Sequence, residues 1–100
     1  MAKVKVGKIN DVQEGKGKVL FINGKEIALF KLNGEFFAMD NTCPHQGGSL
    51  GDGSVNGDIV TCPLHGWEFN VKTSTCLLLE HIKLDSYKVE VNGDDIFIDV

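Results

Sequence analysis

The dipeptide Asn-Gly occurs four times in this chain of 100 residues, and it constrains the fold more than any other feature. Both residues tolerate a positive φ, so the pair suits the type I′ turn that joins two antiparallel strands. The four dipeptides begin at Asn23, Asn33, Asn56 and Asn92. They predict a chain built mainly of short β-hairpins.

Short runs rich in β-branched and aromatic residues lie between these turns, and no window of helical length has a 3.6-residue apolar stripe. Strands of about five residues joined by tight turns are typical of an antiparallel β-sandwich or barrel. We therefore predict an all-β fold, with a glycine-rich loop at 47–57. The predicted strands are residues 3–6, 18–22, 26–32, 35–39, 58–62, 67–70, 87–91 and 95–100.

The length of the chain allows one compact domain with a modest core. The first six residues contain no apolar run long enough for a signal peptide, and no stretch of the sequence is apolar enough to span a membrane. We therefore expect a soluble, cytoplasmic protein without a membrane partner.

The net charge of −4 is unevenly distributed. Residues 1–39 contain seven lysines and four carboxylates, whereas residues 40–100 contain three lysines and ten carboxylates. The acidic majority argues against nucleic acid as a partner, because phosphates require a basic face. It favours a basic protein partner, although a merely solvated acidic surface explains it equally well.

Two cysteine–histidine pairs lie in the middle of the chain. Cys43 and His45 have one proline between them, Cys62 and His65 have Pro-Leu between them, and sixteen residues, 46–61, separate the pairs. Thiolate sulfur and imidazole nitrogen together are typical ligands of zinc and iron. In a Rieske [2Fe–2S] centre two cysteines bind one iron and two histidines bind the other, which matches this set of donors.

Other readings of these residues stay open. The four side chains satisfy a structural zinc site, although zinc modules usually group their cysteines and histidines separately. A cysteine–histidine nucleophile is also conceivable, but it leaves the duplication unexplained. Among the remaining residues, we expect Cys76 to be a buried apolar side chain, His81 to be structural and Trp67 to pack beneath the second pair.

Longer segments around the two pairs resemble the two boxes of Rieske-type ferredoxins. The segments are C-P-H-Q-G-G-S-L from Cys43 and C-P-L-H-G-W-E-F from Cys62, and the likeness includes G-D-I-V at 57–60 and F-N-V-K-T at 69–73. Such ferredoxins are the small electron carriers of bacterial multicomponent oxygenases. The small subunit of NADH-dependent nitrite reductase shares their fold.

The resemblance extends over nearly the whole chain and implies a single Rieske domain at 1–100. In this family an antiparallel β-sandwich forms the base, and a small cluster-binding subdomain is inserted into it. Carried over to this sequence, the base corresponds to residues 1–40 and 76–100, and the subdomain to about 41–75.

The resemblance also implies one [2Fe–2S] cluster held by Cys43, His45, Cys62 and His65. The cysteines would bind the buried iron. The histidines would bind the outer iron, near the surface where a redox partner docks.

The function that follows is that of a one-electron carrier, monomeric when free, between a flavin reductase and a terminal oxygenase or similar acceptor. Such a carrier is not itself an enzyme. One alternative is a permanent small or regulatory subunit of a larger reductase of the nitrite-reductase type. Another is a redox sensor that carries a cluster.

Four positions differ from the membrane-bound respiratory relatives. Those proteins carry an extra cysteine in each box, and the two form a disulfide; here the positions are Gly48 and Leu64. They also carry serine and tyrosine hydroxyl donors after the second box, where this chain has Trp67 and Phe69. Fewer hydrogen bonds to cluster sulfur predict a reduction potential near the lower end of the Rieske range, about −150 mV to about +300 mV.

Overall fold

The computed structural model describes residues 3–42, 48–63, 66–77 and 84–99. Within these ranges the chain forms strands and two 3₁₀ turns, Ile9–Asp11 and Leu50–Asp52, and none of its helical segments could cross a membrane. The prediction of an all-β fold is confirmed. The strands are β1 (Lys3–Lys8), β2 (Lys16–Ile22), β3 (Lys25–Leu32), β4 (Glu35–Asp40), β5 (Ser54–Asn56), β6 (Ile59–Thr61), β7 (Glu68–Asn70), β8 (Thr75–Cys76), β9 (Ser86–Asn92) and β10 (Asp95–Asp99).

The strands form two antiparallel sheets. The large sheet has the order β1-β10-β9-β4-β3-β2, and the small sheet has the order β5-β6-β7-β8. Strands β4 and β9 are neighbours in the large sheet. Because all four strands of the small sheet lie between β4 and β9 in the sequence, the small sheet is an insertion into the large one.

The four Asn-Gly dipeptides all lie in two-residue hairpin loops or at their edge. In the β2–β3 loop Asn23 and Gly24 have φ of 51° and 80°, and the β3–β4 loop is similar, as a type I′ turn requires. In the β5–β6 and β9–β10 hairpins the prediction of type I′ is wrong. There Asn56 and Asn92 end a strand, and the loop is Gly-Asp with positive φ at glycine alone, the pattern of a type II′ turn.

Strand β3 is buried on both faces and separates two core clusters. Phe30 and its even-numbered neighbours belong to the first cluster, whereas Ile27 and Leu29 belong to the second. The second cluster also contains Ile96 and Ile98 of β10, which lies three positions away from β3 in the sheet, so the large sheet is strongly curled. The first cluster contains, besides residues of β3 and β4, Leu50, Val60, Cys62, Phe69, Val71, Cys76 and Leu84.

The predicted strand ends agree with the structure to within two residues, apart from Val100, which lies outside the described residues. The prediction of a loop at 47–57 is wrong in part, because this segment contains a 3₁₀ turn and strand β5. Strand β8 was also not predicted. Both strands have three residues or fewer, too few for a period of two to emerge from the sequence.

Candidate metal centre

The segment that contains the first cysteine–histidine pair is closed at its base. Just beyond β4, Thr42 forms an isolated antiparallel bridge with Ser49. The N–H of Leu50 donates a hydrogen bond to the carbonyl of Asn41, with an N···O distance of 2.8 Å. The two described ends of the segment that carries Cys43 and His45 therefore lie side by side. We call Asn41, Thr42, Ser49 and Leu50 the first neck.

The segment that contains the second pair is closed in a similar way. Cys62 follows β6 directly, and its N–H donates to the carbonyl of Trp67 at 2.7 Å. The N–H of Gly66 donates to the carbonyl of Cys62 at 3.1 Å, and Gly66 has a φ of 74°, which glycine adopts without strain. We call Cys62, Gly66 and Trp67 the second neck.

The two necks lie close together. The N–H of Gly53 donates to the carbonyl of Leu50 in the first neck at 3.0 Å. A Cβ built on Gly53 would lie only 2.1 Å from the carbonyl oxygen of Thr61, the residue before Cys62. Leu50 and Cys62 also belong to the same core cluster. The residues that flank the two cysteine–histidine pairs therefore lie side by side, as a cofactor shared between the pairs requires.

Of the four predicted ligands, Cys62 is the one that lies among the described residues. Its side chain is 3% exposed and it is a free cysteine. A cysteine in the second neck, outside any disulfide and shielded from water, is in a suitable position for a metal ligand on the inner side of a site. Cys43, His45 and His65 lie outside the described residues, so their role as ligands stays a prediction.

The structure also tests two of the other sequence predictions. Cys76 is fully buried in β8 opposite Phe69, which confirms that it is a core residue. Trp67 is partly buried and packs against the first core cluster, as expected. Phe69 is fully buried. His81 lies outside the described residues.

Asn41, the main side chain of the first neck, is not among the residues that the sequence motifs point to. Its side-chain oxygen accepts a hydrogen bond from the N–H of Gly51 at 2.6 Å. Its side-chain nitrogen donates to the hydroxyl of Ser49 at 3.0 Å. The available signal was an asparagine between a strand and a metal-binding box, because asparagine often bonds to neighbouring backbone groups where a strand ends.

A second polar contact ties the end of β4 to the start of β9. The hydroxyl of Tyr87 donates to the carboxylate of Asp40 at 2.6 Å, and the N–H of Asp40 donates to the carbonyl of Asp85 at 2.9 Å. Burial, the hydrogen bond to Asp40 and the negative charges of Asp40 and Asp85 raise the pKa of Tyr87 well above its usual value. The hydroxyl therefore stays protonated and continues to donate beside the first neck.

Comparison with known proteins agrees with this geometry. Residues 2–88 match the model of the Rieske [2Fe–2S] domain family. The chain is 39% identical over 85 residues to a ferredoxin component of naphthalene 1,2-dioxygenase/salicylate 5-hydroxylase systems from a Ralstonia species, covering 82% of this chain and 82% of that protein.

Two solved structures have the same fold. One is the complex of reduced oxygenase and oxidized ferredoxin in carbazole 1,9a-dioxygenase, with a TM-score of 0.88, 30% identity and coverage of 96% of this chain and 91% of the other. The other is described as the small subunit of an NADH-dependent nitrite reductase from Mycobacterium tuberculosis. It has a TM-score of 0.89, 21% identity and coverage of 97% and 93%.

Proposed function

This chain belongs to the Rieske [2Fe–2S] domain family, and from that premise we propose that it is a ferredoxin that delivers single electrons to the oxygenase component of a dioxygenase system. The observation that carries the proposal is the 39% identity to a ferredoxin component, over 82% of both chains. The two adjacent necks support it, because they bring together the flanks of the two cysteine–histidine pairs that would share one cofactor.

The cofactor of this family, and of this chain, is one [2Fe–2S] cluster, which supplies a reversible one-electron couple. We propose Cys43, His45, Cys62 and His65 as its ligands, with the cysteines on the inner iron and the histidines on the outer iron. Support comes from the donor set itself and from the position of Cys62 in the second neck, directly after β6. The family membership favours a cluster over the zinc site that the same donors could form.

The chain's own contribution is to hold the two cysteine–histidine pairs in place and to keep water away from the cysteine side of the metal centre. Leu50, Val60 and Phe69 are all fully buried in the first core cluster, to which Cys62 also belongs. An apolar surround limits solvent access and thereby influences the potential of a metal centre. We place the cluster-binding subdomain at about 41–75, inserted into a base of residues 1–40 and 76–100.

The partners that we propose are a flavin reductase as electron donor and a terminal oxygenase as electron acceptor. A matching chain of known structure is a ferredoxin bound to its oxygenase, which supports the choice of acceptor. The surplus of carboxylates in residues 40–100 suits docking to a basic protein surface and disfavours nucleic acid. In this proposal the chain is monomeric when free, acts in the cytoplasm and catalyses no reaction alone.

Electron delivery can be measured directly. The purified protein is reduced stoichiometrically and mixed in a stopped-flow instrument with the oxidised oxygenase component of a naphthalene dioxygenase system. We expect reoxidation of this protein and reduction of the oxygenase at the same rate. With a reductase, NADH and substrate added, we also expect product formation that requires this protein. Slow reoxidation by every oxygenase tried would contradict the proposal.

A permanent subunit of a reductase is the second candidate, and the likeness to a nitrite reductase small subunit favours it at the level of the fold alone. Gentle affinity purification from the native host separates the two functions. A free carrier elutes as a small protein, whereas a subunit elutes in a stable complex with a large flavin- or haem-containing chain.

A further inference from the structure

Asn41 binds the returning side of the first loop through three hydrogen bonds. The side chain is 1% exposed, and it contacts the N–H of Gly51 at 2.6 Å and the hydroxyl of Ser49 at 3.0 Å. The backbone carbonyl of Asn41 accepts the N–H of Leu50 at 2.8 Å. One buried residue on the outgoing side therefore holds three consecutive residues on the returning side.

The space around this contact is tightly filled. A Cβ built on Gly51 would lie 2.6 Å from a methyl carbon of Val19 and 3.0 Å from the side-chain oxygen of Asn41. The returning chain is thus confined between β2 and Asn41, and no side chain larger than hydrogen fits at position 51. The side-chain oxygen of Asn41 therefore packs directly against the backbone at Gly51.

Asn41 is itself attached to the large sheet. Its N–H donates to the carbonyl of Glu26 at the start of β3, at 3.1 Å. The preceding residue, Asp40, is bonded through its side chain to Tyr87 and through its N–H to Asp85 in the segment that leads into β9. The residue whose side-chain amide binds Ser49 and Gly51 is therefore held in place by β3 on one side and by β9 on the other.

We propose that Asn41 is a positioning residue for the first metal-binding loop: it fixes the separation and alignment of the two ends of residues 43–48 and so determines how Cys43 and His45 meet the cluster. The inference rests on the proposed function. A loop whose ends are fixed samples fewer conformations, so its ligands lose less entropy when they bind and are released less readily.

The test compares cluster loss in four variants of the holoprotein. Asn41→Ala removes both side-chain bonds and leaves the buried N–H of Gly51 without a partner. Asn41→Asp keeps an oxygen acceptor for Gly51, and Ser49 can donate to its other oxygen. We expect the rate of bleaching by an iron chelator to rise about tenfold in Asn41→Ala, as the loss of a buried hydrogen bond implies. In Asn41→Asp the rate should rise less, because this variant keeps the acceptor for Gly51 although it buries a carboxylate.

Ile98→Ala is the matched control, because Ile98 is fully buried in the second core cluster, away from both necks. It should lower the melting temperature at least as much as Asn41→Ala while leaving the bleaching rate and the EPR g-values of the reduced cluster unchanged. Ser49→Ala, which removes one of the two side-chain bonds, should have an intermediate bleaching rate.

Two results would overturn the inference. One is a bleaching rate that follows the melting temperature equally in Asn41→Ala and Ile98→Ala, which would make Asn41 an ordinary stabilising residue. The other is wild-type bleaching and EPR spectra in Asn41→Ala. If the wild-type protein itself assembles no cluster, the proposed function fails, and this inference fails with it.

Discussion

At the scale of single residues, two buried cysteines differ in their surroundings. Cys62 belongs to the second neck, where its backbone is hydrogen-bonded to Gly66 and Trp67. Cys76 belongs to β8, where it pairs with Phe69 inside the first core cluster. Both thiols are free and buried, so burial does not separate a ligand from a packing residue; the position relative to the loops does.

Replacement by serine should separate these two roles. Cys62→Ser should lose the cluster, because a neutral hydroxyl is a poor substitute for a thiolate ligand of iron. Cys76→Ser should keep the visible spectrum and lose stability, by about 1–3 kcal/mol, because it buries a hydroxyl in an apolar cluster. Absorption spectra together with thermal unfolding give both answers. A colourless but folded Cys76→Ser would mean that the ligands have been assigned incorrectly.

The absence of a hydroxyl at Phe69 should lower the reduction potential. The respiratory relatives have a hydroxyl donor at this position. Phe69 is fully buried in the first core cluster, to which Cys62 also belongs. Phe69→Tyr should raise the potential by up to about 60 mV, which corresponds to about 1.4 kcal/mol for a one-electron couple. Protein-film voltammetry measures the shift, with Phe36→Tyr, which packs against the second core cluster, as control. An equal shift of the potential in both variants would contradict the role of a hydroxyl at position 69.

At the scale of elements, one side chain reinforces a hairpin that the sequence already specifies. The carboxylate of Glu14 accepts the N–H of Asn33 at 2.5 Å and the N–H of Gly34 at 2.9 Å. These are the two residues of the β3–β4 turn. The bonds from Gly34 and then Asn33 hold the pKa of Glu14 below its usual value near 4.5.

The turn should therefore be sensitive to acid through Glu14. Because its pKa is lower in the folded protein, the stability that Glu14 adds is complete above its ordinary pKa and is lost as the pH falls through the folded value. Glu14→Gln should melt at a lower temperature than wild type at pH 7, and this difference should shrink as the pH falls from about 5 towards 3.

Thermal melts across this pH range provide the measurement, with Glu35→Gln as a control that removes a charge from the same hairpin. In the control, the melting temperature should fall between pH 5 and pH 3 by about as much as it does in wild type. A Glu14→Gln melting temperature that stays a constant interval below wild type at every pH would refute the assignment.

The elements also explain what the sequence could and could not predict. The hairpins could be predicted because Asn-Gly and alternating side chains are local signals. Cys62 could be singled out as a candidate ligand because metal-binding boxes have a fixed spacing. The type II′ turns were missed because the choice depends on whether asparagine ends a strand, which pairing decides. Asn41 was missed for a related reason: its partners, Ser49 and Gly51, are brought to it only when the loop closes.

At the scale of the whole molecule, the two ends of β9 lie far apart. The start of β9 contacts the end of β4 near the first neck, and the β9–β10 turn lies at the other end of a seven-residue strand, roughly 20 Å away. Exposed carboxylates occur near both ends. Asp52 and Glu68 follow the two necks in the sequence, whereas Asp94 lies in the distant turn.

Carboxylates near the necks should assist docking. Neutralising Asp52 and Glu68 together as amides should lower the association rate with the oxygenase and weaken its dependence on salt, because steering acts within about one Debye length, roughly 10 Å at 0.1 M salt. Asp94→Asn should change neither. Stopped-flow transfer rates at several ionic strengths distinguish the variants. Equal effects at both ends would indicate that only the net charge matters.

A single position in the second box should define the contact more narrowly. Leu64 is a neighbour of His65 in the sequence, and the resemblance to Rieske ferredoxins implies that the histidine-bound iron lies at the surface. Leu64→Glu should slow electron transfer and leave the visible spectrum unchanged, since electron-transfer interfaces are small and depend on few residues. Transfer at the wild-type rate would locate the docking surface elsewhere.

The most direct test of the central claim is the metal content of the protein together with the EPR spectrum of its reduced form. We predict a red-brown protein with about two irons and two acid-labile sulfides per chain, and after reduction a signal typical of a cluster with both nitrogen and sulfur ligands. A colourless protein with one tightly bound zinc, or an EPR spectrum of a cluster with four cysteine ligands, would contradict it.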